Sequence, residues 1–295
     1  QATVTIALPN LVFVDGTFAV INNAIDIPLL SSITSHATFN YKGAINRAAL
    51  PSISEISGNV IVNKGIRLLD LTDINVNGSI SSSGSATGEL WLTDATTVNA
   101  ASAEITNLNA PKATTITMGH EDDLTSLTVF APVANTIDIA TDEISGTTII
   151  TAGSTSTVNL TEVTSAGLTS IIAGTVNFAK LKYFSAAAVV TATTVNLSEL
   201  TTNATGTLTF PTATSFVAPK FSVTMPLNAP AATTVEIASS GVPALNIPDV
   251  ETLTINKLGN KVDFSTSGFA DLENFTVGGA TGQVAPNLSS KVTNT

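Results

Sequence analysis

The fold of this chain is decided by the stretch LNIPDVETLTI, which covers residues 245–255. It begins with an apolar, a polar and an apolar residue, passes through Pro248 and a short turn, and ends in a second alternating run. The stretches LNAPKATTITM at residues 108–118 and LNAPAATTVEI at residues 227–237 have the same form. Weaker copies recur along the whole chain, and such recurrence is the signature of a repeat protein.

Each unit reads as two strands joined by a corner. Alternation around Asn246 turns two apolar side chains inward and the polar one outward, as in a β-strand. Pro248 cannot donate to a strand ladder, so it belongs where the strand ends and the chain turns. Val250 then fills the inside of the corner, and the run from Thr252 to Ile255 forms a second strand on another face. We call the first run of each unit the leading strand.

The spacing of the copies indicates a solenoid. Successive copies start about 18 to 23 residues apart, which is the length of one solenoid coil. The interval after Pro132 is long and predicts a degenerate coil, whereas the interval between Val195 and Leu208 is short. An apolar helical pattern almost never persists, which disfavours a helix-bearing repeat. The sequence predicts an all-β solenoid of roughly 20-residue coils. It would form a single elongated array over residues 1–295, either complete or a segment of a longer chain.

Composition limits the possible partners. The chain has 22 acidic and 11 basic residues and a net charge of −11, which repels nucleic acid and anionic lipid headgroups. No apolar run approaches the roughly 20 residues that span a bilayer. Cysteine is absent, so disulfides, thiolate metal sites and a cysteine nucleophile are excluded. We expect no nucleic-acid partner, no membrane insertion and, from the Thr- and Ser-rich, Lys-poor composition, an extracellular or cell-surface location.

The first third of the chain resembles a known family. LPNLVFVDGTFAV at residues 8–20 and ALPSISEISGNVIV at residues 49–62 are similar to the "L-P-x-L-x-x-V-x-G-x-L-x-I" units of receptor L-domain-like and leucine-rich-like solenoids. Such units occur in fungal wall glycoproteins and in surface adhesins of Bacteroidota-type bacteria. The cysteine-bounded caps of receptor L domains are missing, which favours the bacterial branch. The resemblance implies a right-handed β-solenoid with an extracellular adhesive or structural role, and it implies no catalytic residue and no cofactor.

The middle residue of the leading strand is regularly polar. Stacked coils are expected to place these side chains outward in one column, about 4.8 Å apart. This column is either a flat face that binds a glycan or partner sheet, or a solvated face whose Asn and Thr side chains stabilise the stack. Its members are Asp26, Asp70, Asn109, Thr128, Asn159, Asn177, Asn196, Thr209, Asn228, Asn246 and Asp263. Trp91 takes the same outward position, where its ring is available to stack on a sugar or to pack against another chain.

Two further ligand types have weaker support. Glu121, Asp122 and Asp123 form an acidic cluster whose oxygens suit a calcium ion, but the spacing of a calcium-binding loop is missing. An exposed acidic turn is the commoner explanation of such a cluster. Thr pairs such as Thr115 and Thr117 suit ice binding only if outward Thr recurs coil after coil, and here the Thr positions drift relative to the repeat.

The expected function is therefore structural. The chain is predicted to be a non-enzymatic subunit or segment of a surface filament, adhesin or layer, self-associating through end coils or neighbouring solenoid segments. The alternative is a carbohydrate- or surface-binding module that uses the polar column and Trp91. A third class, a polysaccharide-degrading β-helix enzyme, places clustered acids and bases on one face, whereas the 11 basic residues are scattered here.

Overall fold

The computed structural model describes residues 5–21, 24–40, 44–63, 68–76, 80–83, 87–100, 105–119, 123–203, 206–223, 226–240, 245–256 and 273–277. Apart from one 3₁₀ turn, Arg47–Ala49, the regular secondary structure of these residues consists of β-strands. Strands pair in parallel with strands about one coil away in sequence, so the chain is a β-solenoid of stacked coils of about 20 residues. The predicted all-β solenoid is confirmed. The chain divides into two compact units, residues 1–141 with 150–153 and residues 142–149 with 154–295.

The first unit has three kinds of sheet, which we call leading, corner and return in the order the chain visits them. The leading strands are Thr5–Ala7, Ala24–Asp26, Ala44–Ile45, Leu68–Asp70, Thr87–Trp91, Ile105–Asn109 and Leu127–Ala131. The corner strands are Phe13–Val14, Ser32–Ile33, Glu55–Ile56 and Asn75–Val76. The return strands are Phe18–Ile21, Ala37–Asn40, Val60–Asn63, Ile80–Ser83, Thr97–Ala100, Thr115–Gly119 and Thr136–Ala140.

The second unit also has leading, return and corner strands, but here each corner strand follows a return strand and precedes the next leading strand. The leading strands are Thr169–Ile172, Ala188–Thr191, Leu208–Thr209, Leu227–Asn228 and Leu245–Asn246. The return strands are Thr157–Asn159, Thr175–Asn177, Thr194–Asn196, Ser215–Val223, Thr234–Ser240, Thr252–Ile255 and Asn274–Val277. The corner strands are Glu143–Ile144, Ser165–Ala166, Tyr183–Phe184 and Thr202–Asn203. The strand Thr148–Ala152 contributes residues to both units.

The turn after the leading strand has the predicted form. The N–H of Ala113 donates to the carbonyl of Ala110 at 3.1 Å, which closes a four-residue turn around Pro111 and Lys112. Proline favours the second position of such a turn because its fixed φ matches the turn geometry. Ala113 is fully buried, so the corner filler lies inside the coil as the sequence predicts. Equivalent turns close at Ile74, Ala95, Ala134, Ala232 and Val250.

Inward side chains stack in apolar columns from coil to coil. In the first unit Leu69, Leu90, Leu108 and Val129 lie opposite one another in register and are all buried. A coil alone has nothing to cover these side chains, so burial comes from its neighbours, at roughly 25 cal/mol for each Å² removed from water. In the second unit Phe216 contacts Phe210 at a ring-centroid distance of 4.9 Å. Stacking is therefore the source of the core.

The alignment of copies inferred from sequence is wrong in the second unit. Val158, Val176 and Val195 were aligned with the leading strands, but they lie in the return sheet. In these coils the apolar filler follows the return strand, as the hydrogen bond from Leu200 N–H to the Leu197 carbonyl shows. The short interval before Leu208 thus runs from a return strand to the next leading strand. The long interval after Pro132 contains two further strands, Glu143–Ile144 and Thr148–Ala152, as the predicted degenerate coil requires.

Gly167 marks a point where neighbouring coils approach closely. A Cβ atom at this position would lie 2.1 Å from the carbonyl oxygen of Gly146 and 2.6 Å from that of Ser145. No side chain fits against backbone atoms at these distances. Glycine is therefore required here for steric reasons.

The first prediction concerns this contact. Gly167→Ala should lower the free energy of unfolding by about 1–3 kcal/mol, because the backbone of one coil must shift to admit the methyl group. Chemical denaturation followed by circular dichroism measures the change. Ser170→Ala, an exposed position on the adjacent leading strand, is the control and should stay within about 0.5 kcal/mol of the unmodified protein. Equal stability of the two variants would contradict the close packing of these coils.

Candidate functional site

The outer face of the leading sheet in the first unit carries two exposed aromatic rings. Asp70, Trp91, Asn109 and Phe130 lie opposite one another on successive strands and form one outward column. Trp91 is 37% exposed and Phe130 is 44% exposed. The two aromatic residues are separated by two strand steps, or about 10 Å. The column therefore offers two hydrophobic platforms with an amide between them.

Phe130 was not among the residues singled out from the sequence. It occupies the middle of the leading strand before Pro132, the same position that identified Trp91. Thr128 had been assigned to that position, but it lies opposite Asn107 in a second outward column, two residues earlier. Glu89 belongs to this second column as well. Counting back from Pro132, as for the other copies, would have found Phe130.

Asn109 has an unusual environment between the two aromatic positions. Its Oδ1 atom is shielded from solvent and accepts no hydrogen bond from any described residue. A buried acceptor without a donor costs about 1–3 kcal/mol.

Asp70 is engaged by residues of its own coil and of the preceding coil. Its Oδ1 atom accepts hydrogen bonds from the Thr72 backbone N–H at 3.0 Å and from the Thr72 hydroxyl at 2.6 Å. The Arg47 N–H reaches Oδ2 at 3.4 Å. An aspartate that bonds the residue two positions ahead stabilises a turn. Asp70 therefore stabilises the turn after its strand, and it is the member of the column least available to bind a ligand.

The Asn residues of the second unit form ladders in two different sheets. Asn159, Asn177 and Asn196 lie opposite one another on the return sheet, and the Asn177 Nδ2 group donates to Asn159 Oδ1 at 2.7 Å. Asn196 Nδ2 donates in the same way to Asn177 Oδ1. Asn228 and Asn246 pair on the leading sheet, where Asn246 Nδ2 donates to Asn228 Oδ1 at 2.6 Å.

The prediction of one polar column is therefore wrong, because the same local sequence occurs in strands of two sheets. Thr209 belongs with Asn228 and Asn246, whereas Asp26 lies on an early leading strand of the first unit and Asp263 lies outside the described residues. Asn side chains in both ladders bond along the stack. They contribute to its stability whether or not they also bind a ligand.

Lysines of both units pair with acids about one coil earlier. In the second unit Lys180 pairs with Glu162, and Lys220 pairs with Glu199 at 2.6 Å. Lys112 pairs with Asp94 in the first unit. The hydrogen bond and the charge of its carboxylate partner raise the pKa of Lys112 above its usual value, and Glu162 raises the pKa of Lys180 in the same way. Exposed pairs of this kind contribute little stability singly, but they set the order of charges along the corner.

Part of the acidic cluster lies outside the described residues. Glu121 and Asp122 belong to that part, and Asp123 is exposed. Within the described ranges there is no group of three or more His, Cys, Asp or Glu side chains placed to hold a metal ion. A calcium site at residues 121–123 stays a prediction. The described part of the chain also has no helix with the length and apolarity needed to cross a membrane.

No protein-family model, curated protein or solved structure matches this chain.

The second prediction tests the Asn ladder. Asn177→Ala removes two amide hydrogen bonds and should lower the free energy of unfolding by about 1–3 kcal/mol, at roughly 0.5–1.5 kcal/mol for each bond. Asn99→Ala is the matched control, because Asn99 is an exposed asparagine on a return strand of the first unit. Denaturant titration gives both values. A loss no larger than that of Asn99→Ala would show that the ladder does not stabilise the stack.

Proposed function

We propose that this chain is a non-enzymatic structural and adhesive protein, a subunit or segment of a surface filament, adhesin or layer. The observation that carries the proposal is that outward polar side chains bond to the equivalent side chains of the next coil. Asn159, Asn177 and Asn196 do so along one sheet, and Lys180 and Lys220 do so at the corner. Such bonds link coils mechanically in the direction of stacking.

An extracellular site of action agrees with this role. A repeat array is stabilised by nearest-neighbour contacts, so a chain without cysteine needs no disulfide to be stable outside the cell. The resemblance of residues 8–20 and 49–62 to L-domain-like units supports the finer proposal of a Bacteroidota-type surface adhesin. The lysines that form ion pairs are already neutralised by carboxylates, which favours a structural role for them over acid–base chemistry.

Self-association is proposed through an end coil. Ile6 lies opposite Ile25 in register, yet Ile6 is 39% exposed and Ile25 is 8% exposed. Leu8, two residues further along the same inward side, is also exposed. The strand Thr5–Ala7 pairs only with Ala24–Asp26 among the described strands. A further coil placed against this strand would bury both side chains and extend the parallel ladder.

The third prediction tests assembly. Negative-stain electron microscopy of the untagged protein at moderate concentration should show fibres, and Ile6→Lys should abolish them because the added coil would bury an unpaired charge at this inward position. Ile21→Lys introduces the same charge at an exposed, outward position of the same coil and should leave the fibres intact. Separate particles in the unmodified protein would exclude the filament role.

A second candidate function is carbohydrate binding by the leading sheet of the first unit. Trp91 and Phe130 are exposed on one column, and aromatic rings bind the apolar faces of sugars by stacking. The amide of Asn109 and the carboxylate of Glu89 lie on the same face and suit sugar hydroxyls. Exposed aromatics with adjacent hydrogen-bonding groups are the usual composition of a ligand site.

The fourth prediction separates this function from the structural one. If the face binds glycans, Trp91→Ala and Phe130→Ala should each weaken retention on a glycan array or on insoluble chitin or cellulose by about tenfold or more. Tyr183→Ala removes an equally exposed aromatic from a corner strand of the second unit and should have no effect. Retention that survives loss of both aromatic residues would exclude this face as the binding site.

A further inference from the structure

A column of small hydroxyl residues follows the return sheet of the second unit. At one position of the return strands, every described pairing from Thr157–Asn159 to Thr252–Ile255 places a Thr or Ser opposite another Thr or Ser. The members of this column, which we call the hydroxyl column, are Thr157, Thr175, Thr194, Ser215, Thr234 and Thr252. The expectation that Thr positions drift is therefore wrong. It followed from aligning leading with return strands, and on the return sheet alone the register is regular.

The hydroxyl column is not used by the protein itself. No side-chain hydrogen bond joins its hydroxyl groups to any described residue, and all of its members are partly exposed. The residues one position earlier in the chain behave differently. Thr233 Oγ1 donates to the Thr214 carbonyl at 3.3 Å, and Thr214 Oγ1 donates to the Thr193 carbonyl at 3.4 Å. The Thr residues one position earlier thus bond to the stack, whereas the hydroxyls of the hydroxyl column have no side-chain partner among the described residues.

The face around the hydroxyl column is rigid and nearly neutral. Thr has a β-branched side chain with restricted χ1, so its methyl and hydroxyl positions are held once the backbone is fixed. Two residues further along the strands, Asn159, Asn177 and Asn196 form the hydrogen-bonded ladder. Among the described residues that lie two positions after the hydroxyl column on these strands, Glu236 is the only charged one. Its carboxylate accepts a hydrogen bond from Asn256 at 3.0 Å.

The first unit repeats the same pattern on three return strands. Thr97, Thr115 and Thr136 lie opposite one another, with Asn99, Thr117 and Asp138 two residues further on. Within the described part of the chain, no side-chain hydrogen bond occupies the hydroxyls of these three Thr residues. The same arrangement therefore occurs independently in each unit.

We propose that the hydroxyl column of the return sheet binds the ordered water of an ice surface. Successive hydroxyls are one strand step apart, about 4.8 Å. This repeat is close to the oxygen repeat along one axis of the ice lattice. The Thr methyl groups provide apolar contact, while the hydroxyls can both donate to and accept from lattice water. An uncharged column on a protein of net charge −11 complements a neutral surface better than an ionic partner.

Two assays detect binding to ice directly. The purified protein should be incorporated into a slowly growing ice hemisphere and should depress the freezing point below the melting point. Thr194→Lys, in the middle of the column, should reduce incorporation by about tenfold or more, because a charge and a long side chain disrupt the match to the lattice. Thr194→Ser keeps the hydroxyl and should retain part of the binding.

Val189→Lys is the matched control. Val189 lies in the same coil on the exposed side of the leading sheet, so the variant has the same added charge away from the column. It should be incorporated like the unmodified protein, and circular dichroism should show all three variants folded. Exclusion of the unmodified protein from ice, or equal incorporation of Thr194→Lys and Val189→Lys, would overturn the proposal. Retention on chitin or cellulose that depends on Thr194, without incorporation into ice, would overturn it in favour of a polysaccharide surface. None of these outcomes depends on fibre formation.

Discussion

Parallel pairing between consecutive coils is the interaction on which the structure depends. A single coil of about 20 residues has no second layer to cover its apolar side chains. Leu90, for example, is buried because Leu69 and Leu108 lie on either side of it in register. Because side chains alternate along a strand, the register that aligns the inward residues also aligns the outward ones. Every surface column described above follows from this single constraint.

The local structure of each coil could be predicted from sequence, but the sheet to which a strand belongs could not. Alternation, a turn with Pro111 or Thr72, and a buried filler such as Ala113 are encoded within about six residues. Val176-Asn177-Phe178 carries the same local code and yet forms part of a return strand, because in that coil the turn follows the second strand. The choice of sheet depends on pairing with residues about 20 positions away, which local spacing does not contain.

The same limit explains which candidate residues were found. Trp91 was recognised because its strand is flanked by a clear copy of the repeat. Phe130 was missed because Thr128, two residues earlier, was assigned to the outward position of its strand. The hydroxyl column could not be recognised from sequence for a different reason. Its members are common residues whose regularity appears only when return strands are compared with one another. Leading and return sheets thus have different surfaces, aromatic and amide on one, hydroxyl and amide on the other.

The charged corner of the second unit limits how such a chain can grow by duplication. Along the corner the order of charges is Glu162, Lys180, Glu199 and Lys220, so acid and base alternate. Deleting the one coil that carries Lys180 would bring Glu162 beside Glu199, and like charges placed opposite each other destabilise a sheet. Gain or loss of coils in pairs preserves the alternation. Over these four coils the charge pattern therefore repeats every two coils, whereas the strands repeat every coil.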